Sequence, residues 1–176
     1  MTKRKPFYFM KRKGKGFIKV WKTRGKDQVI KQAWSEASII VFENQDEFPK
    51  IPGKYKFDVE KRIITSVGKY YFPSFSKTIP KRKGYKEAKP LEKNGHLCLE
   101  RIDEYVSYPT MVVELQAGET KTLLNLEYYD YLEYNYGTVN NAGEWRIKGQ
   151  DEPILFLWDG EVKAVVMPMK GYGEGG

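Results

Sequence analysis

The residues that most often carry catalysis are sparse in this sequence. A thiol nucleophile needs an adjacent base and a third group that orients that base. His96 and Cys98 are the one histidine and the one cysteine of the chain, and no orienting group accompanies them. A single histidine cannot build a histidine-based metal site, and the segment from Gly14 to Gly16 lacks the spacing of a phosphate-binding loop. We therefore expect a protein that is not an enzyme and that uses no metal and no cofactor.

Lysine and arginine are the residues whose number and spacing do predict chemistry. The 176 residues include 31 of them against 23 aspartates and glutamates, a net charge of +8. Residues 1–98 hold 25 basic and 9 acidic groups (+16), whereas residues 99–176 hold 6 and 14 (−8). Dense basic residues neutralise phosphates and bind DNA in a salt-dependent manner. The candidate DNA-binding residues are Lys11, Arg12, Lys13, Lys15, Lys19, Lys22, Arg24, Lys26, Lys31, Lys81, Arg82 and Lys83.

The same charge distribution has other interpretations. The basic segments could be a solvated arm and loop that keep the protein in solution. Alternatively, a basic surface on one copy could dock on an acidic surface of the next copy, which predicts a head-to-tail homo-oligomer. A third alternative is that the two halves of opposite charge pair within one molecule.

Hydrophobic periodicity predicts the elements that position the basic residues of the first half. Residues 17–21 alternate as a strand, and residues 27–37 have apolar side chains at steps of three and four, which predicts an amphipathic helix. Residues 55–59 and 62–72 predict two strands of a hairpin. The lysine-rich segment at residues 76–94 shows no period, and we interpret it as a loop.

The second half predicts more strands and one more helix. Asn125 is a suitable N-cap for a helix over residues 126–136, whose tyrosines we expect to pack on a sheet rather than to stack on bases. This order of elements predicts an α+β fold, an antiparallel sheet with two helices on one face. The further strands are expected at residues 111–115, 120–124, 144–148, 154–158 and 162–167.

The last third of the chain resembles the closing segment of the bacterial DNA sliding clamp, the β subunit of the replicative polymerase. In that family a strand ends in Asn, a short helix with a Tyr follows, a strand leads to a Pro-containing turn, and the chain finishes in a Val-Met-Pro-Met type strand. Residues 27–40 are similar to the first helix of a clamp domain, and residues 54–75 occupy the place of the hairpin after it. The matching segments are Leu124–Leu132, Trp145–Lys148 with Glu152–Leu155, and Ala164–Met169.

The resemblance implies a single processivity-fold domain over residues 17–170. The domain follows a basic N-terminal arm at residues 1–16 and is interrupted by a lysine-rich insertion at about residues 76–105. A glycine-rich tail at residues 171–176 comes after it. Clamp subunits carry three such domains and dimerise into a ring around DNA. The resemblance also implies a pocket for the peptides of replication partners. By position, the pocket residues are Asn125, Tyr128, Pro153, Val165, Val166, Met167, Pro168, Met169 and Lys170.

Together these observations predict a sliding-clamp-like protein of DNA replication that binds DNA, clamp-partner peptides or both. The alternative is an interaction protein, such as a phage-encoded decoy or inhibitor of a replication complex, that keeps the fold without encircling DNA. One feature argues against a faithful clamp, because the helix at residues 126–136 carries Glu127, Asp130 and Glu133, which repel phosphates. The chain has neither an apolar signal-peptide run nor a long apolar window, so we expect a cytoplasmic protein.

Overall fold

Most of the short apolar and alternating runs form β-strands. The computed structural model describes residues 15–24, 30–36, 38–43, 51, 53–58, 63–68, 75–105, 108–137 and 143–170. The strands are β1 (Lys15–Arg24), β2 (Ile30–Glu36), β3 (Ile39–Val41), β4 (Gly53–Asp58), β5 (Ile63–Gly68), β6 (Lys86–Pro90), β7 (Glu92–Lys93), β8 (His96–Leu97), β9 (Leu99–Tyr105), β10 (Tyr108–Ala117), β11 (Thr120–Asn125), β12 (Gly143–Ile147), β13 (Ile154–Trp158) and β14 (Glu161–Val166).

The helical segments are few and short. A single-turn helix, α1, spans Phe75–Thr78, and α2 spans Leu126–Leu132 and continues as a π-helical turn over Glu133–Gly137. Asn125 caps α2 as predicted, because its side-chain oxygen accepts from the backbone N–H of Glu127 at 2.8 Å. The sheet-rich α+β class is confirmed. Within the described residues, however, one helix longer than a turn accompanies the sheet, where two were expected.

Twelve strands form one antiparallel sheet, and β7 and β8 form a small separate ribbon. The order across the sheet is β11-β10-β6-β12-β13-β14-β3-β2-β1-β4-β5, and β9 also pairs with β10. After β14 the chain returns to the first strand of this order, where the Met169 N–H donates to the Leu123 carbonyl at 2.9 Å. Because β14 and β11 lie far apart in the sheet order, this contact means that the sheet curves.

The two faces of the sheet have different neighbours. We call the face that packs on α2 the inner face and the opposite one the outer face. On the inner face, Trp145 stacks on Tyr129 with ring centroids 5.6 Å apart, and Trp34 meets Tyr131 edge to face at 5.7 Å. These rings belong to a core cluster in which Tyr128 and Tyr136 are also buried. The predicted packing of the tyrosines on the sheet is therefore confirmed.

The helix predicted over residues 27–37 is wrong, because residues 30–36 form the strand β2. Its backbone pairs with β1 on one side and with β3 on the other. Ala33 and Trp34 are adjacent, and neither has any exposed surface. A strand that is buried on both faces loses the alternation of polar and apolar residues, so its apolar spacing can imitate that of a helix.

The loop predicted over residues 76–94 is also wrong. It contains α1, and its residues 86–90 form β6, which lies inside the sheet between β10 and β12. In β6 only Ala88 is fully buried, at a position that pairs with Trp145. A single small apolar residue among lysines and a glutamate gives no hydrophobic period. β6 is therefore a strand because it pairs with its neighbours β10 and β12, and its own composition does not predict this.

The remaining predicted strands are confirmed within the described residues; residues 59, 62 and 69–72 of the predicted hairpin lie outside them. β4 and β5 pair antiparallel, as do β10 and β11, and β13 and β14. The turn between β13 and β14 has positive φ at Asp159 (52°) and Gly160 (78°), as a tight hairpin with a primed turn requires.

In the described part of the chain, no helix has the length and apolarity needed to cross a membrane.

Candidate nucleic-acid interface

The backbone register of β1 brings several lysine positions together. β1 lies between β2 and β4, and Lys19 pairs with Ser35 on one side and with Lys54 on the other. Phe17 pairs with Lys56 in the same ladder. Directly paired residues of antiparallel strands lie on the same face of the sheet. Lys19, Lys54 and Lys56 therefore occupy neighbouring positions on one face.

That face is the outer one. The next position along β1, Val20, pairs with Trp34, whose ring packs on the inner face against Tyr131. Because successive residues of a strand alternate between the faces, Lys19 and its partners are on the outer face. Lys54 is half-buried and Lys56 is exposed. We call the positions of Lys19, Lys31, Lys54 and Lys56 the basic face.

The structure places the predicted DNA-binding residues of the N-terminal half in three groups. Lys19 and Lys31 belong to the basic face, and Lys15 shares it but pairs with an acidic residue, Asp58. By alternation, Lys22 and Arg24 occupy the opposite face of β1. The residues Lys11, Arg12, Lys13 and Lys26 lie outside the described residues.

Lys54 and Lys56 were missed as candidates. The alternation of β4 showed that they share a face, but the sequence did not show which strand is their neighbour. The pairing with β1 supplies that information.

The second predicted cluster, at residues 81–83, lies beside a surface groove of about 440 Å³. Lys81 and Lys83 are exposed and line it. Arg82 does not line it, because its Nη2 donates to the Gly160 carbonyl at 2.9 Å and fastens this segment to the turn between β13 and β14. Lys148 also lines the groove, and no sequence signal associated it with residues 81–83.

The predicted peptide-pocket residues are distributed over both faces of the sheet. Tyr128 and Val166 are buried in the inner core cluster, whereas Val165 belongs to a second cluster with Tyr85 and Leu155. Val165 and Val166 are consecutive residues of β14, so they face opposite ways. The structure therefore does not bring these two valines into one pocket wall.

The other predicted pocket residues have identifiable local contacts. Asn125 caps α2, and the Pro153 carbonyl accepts from the hydroxyl of Tyr85 at 2.8 Å. Met169 is bridged to β11. Met167 and Lys170 are exposed, whereas Pro168 is half-buried.

A buried carboxylate holds the inner side of the sheet to α2. Glu43 follows β3 and is 8% exposed. Its Oε1 accepts from Trp34 Nε1 at 2.8 Å and from the hydroxyl of Tyr131, and its Oε2 accepts from the hydroxyl of Tyr136. Both carboxylate oxygens of Glu43 thus accept hydrogen bonds from aromatic side chains of β2, α2 and the π-helical turn. We interpret this cluster, which we call the Glu43 cluster, as a structural fastening. No local pattern in the sequence indicates these contacts.

Two tyrosines of this cluster make the fold sensitive to alkaline pH. Burial, and next the charge of Glu43, raise the pKa of Tyr131 and of Tyr136 above the ordinary 10.0. The folded state therefore keeps both phenols protonated where the unfolded chain ionises them. Their stabilising contribution is complete below pH 10 and is lost as the pH rises above it.

We expect the free energy of unfolding to fall above pH 10, by about 1.4 kcal/mol per pH unit for each of the two phenols. Urea unfolding at half-unit steps from pH 8 to pH 11 measures this slope. Tyr131→Phe should reduce this slope by the contribution of one phenol, about 1.4 kcal/mol per pH unit. Replacement of the half-buried Tyr134 by Phe is the matched control and should leave the slope unchanged. A slope that is unchanged in Tyr131→Phe would contradict the assignment.

The opposite end of the sheet is acidic. A groove on β9, β10 and β11 is lined by Glu100, Glu114 and Glu119 together with Arg101 and Lys121. This end would repel phosphates, whereas the basic face on β1, β2 and β4 lies toward the other end of the sheet.

Comparison with models of protein families, with curated proteins and with solved structures finds no match for this chain. Among the described residues, no group of three or more His, Cys, Asp or Glu side chains is placed to hold a metal ion. The protein is thus an antiparallel, sheet-rich α+β protein with a basic face toward one end of the sheet and an acidic groove at the other.

Proposed function

We propose that this protein binds DNA without catalysis and that the basic face contacts the phosphates. The observation that carries the proposal is the register that sets Lys19 beside Lys54 across β1 and β4, with Lys56 and Lys31 on the same face. A group of lysines on one surface neutralises successive phosphates and releases the counterions condensed on DNA.

In this proposal the sheet, and not a helix, faces the nucleic acid. The less buried side of α2 includes the half-buried Glu127 and Asp130, whereas the Glu133 carboxylate at the π-helical turn accepts from Trp145 Nε1 at 2.7 Å. Carboxylates on this side make α2 a poor surface for phosphates. The outer face of β1, β2 and β4 is directed away from α2, so DNA on that face would avoid these carboxylates.

The resemblance to the sliding clamp suggests replication as the setting of this DNA contact. We propose a clamp-like accessory protein in which a single chain holds DNA on its basic face. The alternative remains an interaction protein that holds partners of a replication complex and does not bind DNA. The two proposals differ in a direct measurement of duplex binding.

The function test is a salt titration of binding to a plain duplex. If the four lysines of the basic face each neutralise one phosphate, the logarithm of the affinity should fall with the logarithm of the salt concentration with a slope of about −3.6. That slope corresponds to about a 150-fold loss of affinity between 50 and 200 mM salt. Fluorescence anisotropy with a labelled 24-base-pair duplex measures it.

Light scattering of the same samples is the control, because self-association driven by the opposite charges of the two ends would also depend on salt. Duplex binding by a species that stays at one mass across the titration supports the DNA proposal. Absence of binding at 50 mM salt, together with retention of a clamp-binding peptide, supports the interaction protein.

A further inference from the structure

The groove beside residues 81–83 has a strongly basic rim. Its exposed ammonium groups come from Lys81, Lys83 and Lys148, and one carboxylate, that of Glu152, accompanies them. Gly84 lets this rim come together, because a Cβ atom there would lie 3.3 Å from the Lys148 side chain and its φ of +85° favours glycine. Three cations against one anion make the groove attractive to a phosphate group.

This groove opens on the same face of the sheet as the basic face. Tyr85, which lines it, packs against Leu155 and Val165 in the second apolar cluster. Val165 is flanked along β14 by Ala164 and Val166, which belong to the inner core cluster. Alternation along the strand therefore places Val165, Tyr85 and the groove on the outer face.

A continuous row of paired residues connects the groove region to the basic face. The row contains one residue from each of six successive strands, β12, β13, β14, β3, β2 and β1. Neighbouring strands are about 4.8 Å apart, so its five steps span about 24 Å along the outer face. The row is Arg146, Leu155, Val165, Ile40, Ser35 and Lys19.

The surface along this row does not oppose a polyanion. Of its middle residues, Leu155 and Val165 are buried in the second apolar cluster, whereas Ile40, which is apolar, and Ser35, which is neutral, are half-buried. The carboxylates near its start are engaged by basic neighbours: Glu144 pairs with Arg146 at 2.9 Å, and Glu87 pairs with Lys89 at 2.8 Å.

We propose that the groove of Lys81, Lys83 and Lys148 is a second phosphate-contact site that binds the same nucleic acid as the basic face. This inference rests on the proposed DNA-binding function. The path between the two contact sites along the sheet is at most about 24 Å, which is about seven base pairs at 3.4 Å per step. Because the sheet curves, the direct distance is shorter. Only a duplex that reaches from one site to the other can occupy both, so the proposal predicts that affinity rises with duplex length.

The test compares two DNA hairpins, with stems of 6 and 18 base pairs, at 100 mM salt. The groove variant carries Lys81→Glu, Lys83→Glu and Lys148→Glu, and the control variant carries the same charge change at exposed lysines elsewhere, Lys93→Glu, Lys121→Glu and Lys170→Glu. We expect the groove variant to lose at least about tenfold in affinity for the long stem and less than twofold for the short stem. The control variant should lose equally on both stems.

The outcomes separate the two proposals. If the wild-type protein binds the long stem and the groove variant binds it equally well, the second contact site is wrong and the DNA-binding function stands. If the groove variant loses the same factor on both stems, its effect is one of general charge and the second contact site is again wrong. If the wild-type protein binds neither stem, both proposals fail. Circular dichroism of each variant verifies that these exposed substitutions leave the fold intact.

Discussion

Replacement of Glu43 by alanine is expected to remove about 4 kcal/mol or more from the free energy of unfolding, because it would remove the acceptor that three buried donors share, at about 1–3 kcal/mol for each lost bond. Trp34 Nε1 and the hydroxyls of Tyr131 and Tyr136 all donate to this carboxylate. A domain of this size has a total stability of about 5–15 kcal/mol. Urea unfolding followed by circular dichroism should therefore show a much lower midpoint in Glu43→Ala.

The controls for Glu43→Ala separate the cluster from the loss of a carboxylate in general. Glu161→Ala removes an exposed glutamate of β14, and we expect a change within about 0.5 kcal/mol. Tyr131→Phe removes one donor and leaves the acceptor with its other partners, so we expect a loss of about 1 kcal/mol. If Glu43→Ala unfolds at the same urea concentration as Glu161→Ala, the structural role of the Glu43 cluster is refuted.

Reversal of two charges on the basic face is expected to weaken duplex binding by about 60-fold at 100 mM salt. Under this condition each neutralised phosphate contributes about 0.9 decades of affinity through counterion release, and the variant Lys54→Glu/Lys56→Glu removes two such contacts. The salt slope should become shallower by about 1.8 for the same reason. Anisotropy titrations of the wild-type and variant proteins at several salt concentrations measure both quantities.

The matched control is Lys121→Glu/Lys170→Glu, which makes the same change in net charge at exposed positions outside the basic face. This control should keep most of its affinity, and its salt slope should stay close to that of the wild-type protein. If the two double variants bind alike, net charge and not the basic face governs the interaction. Urea unfolding of Lys54→Glu/Lys56→Glu is needed alongside, because Lys54 is half-buried.

Local sequence signals predicted the elements of the second half well. The strands β10, β11, β13 and β14 alternate or are bounded by glycine turns, and Asn125 is a recognisable N-cap. Such signals depend on residues within a few positions of each other, so the sequence displays them directly.

The errors at β2 and β6 have a different origin. β2 is buried on both faces around Ala33 and Trp34, and β6 has one buried alanine among charged residues. Both are strands because neighbouring strands accept and donate their backbone hydrogen bonds. That information comes from distant parts of the chain, which a local period cannot reveal.

The candidate site shows the same division. The sequence predicted basic residues as the dominant chemistry, and Lys54, Lys56 and Lys148 joined the candidate site only through the register of β4 and the position of the groove. The predicted peptide pocket was carried over by position from the resemblance to the sliding clamp, yet Val165 and Val166 face opposite sides of the sheet. Two of the three partners of Glu43, Tyr131 and Tyr136, are 88 and 93 residues away, beyond the range of any spacing rule.

Composition and short periods are enough to predict the charge of each half, the sheet-rich α+β class and the scarcity of catalytic residue types. Which lysines share a face depends instead on how the strands pair. A shift of one residue in the pairing of β1 with β4 would move Lys54 and Lys56 to the other side of the sheet relative to Lys19, since side chains alternate at every residue. Strand register, which packing of the whole sheet sets, therefore turns a basic segment into a basic face.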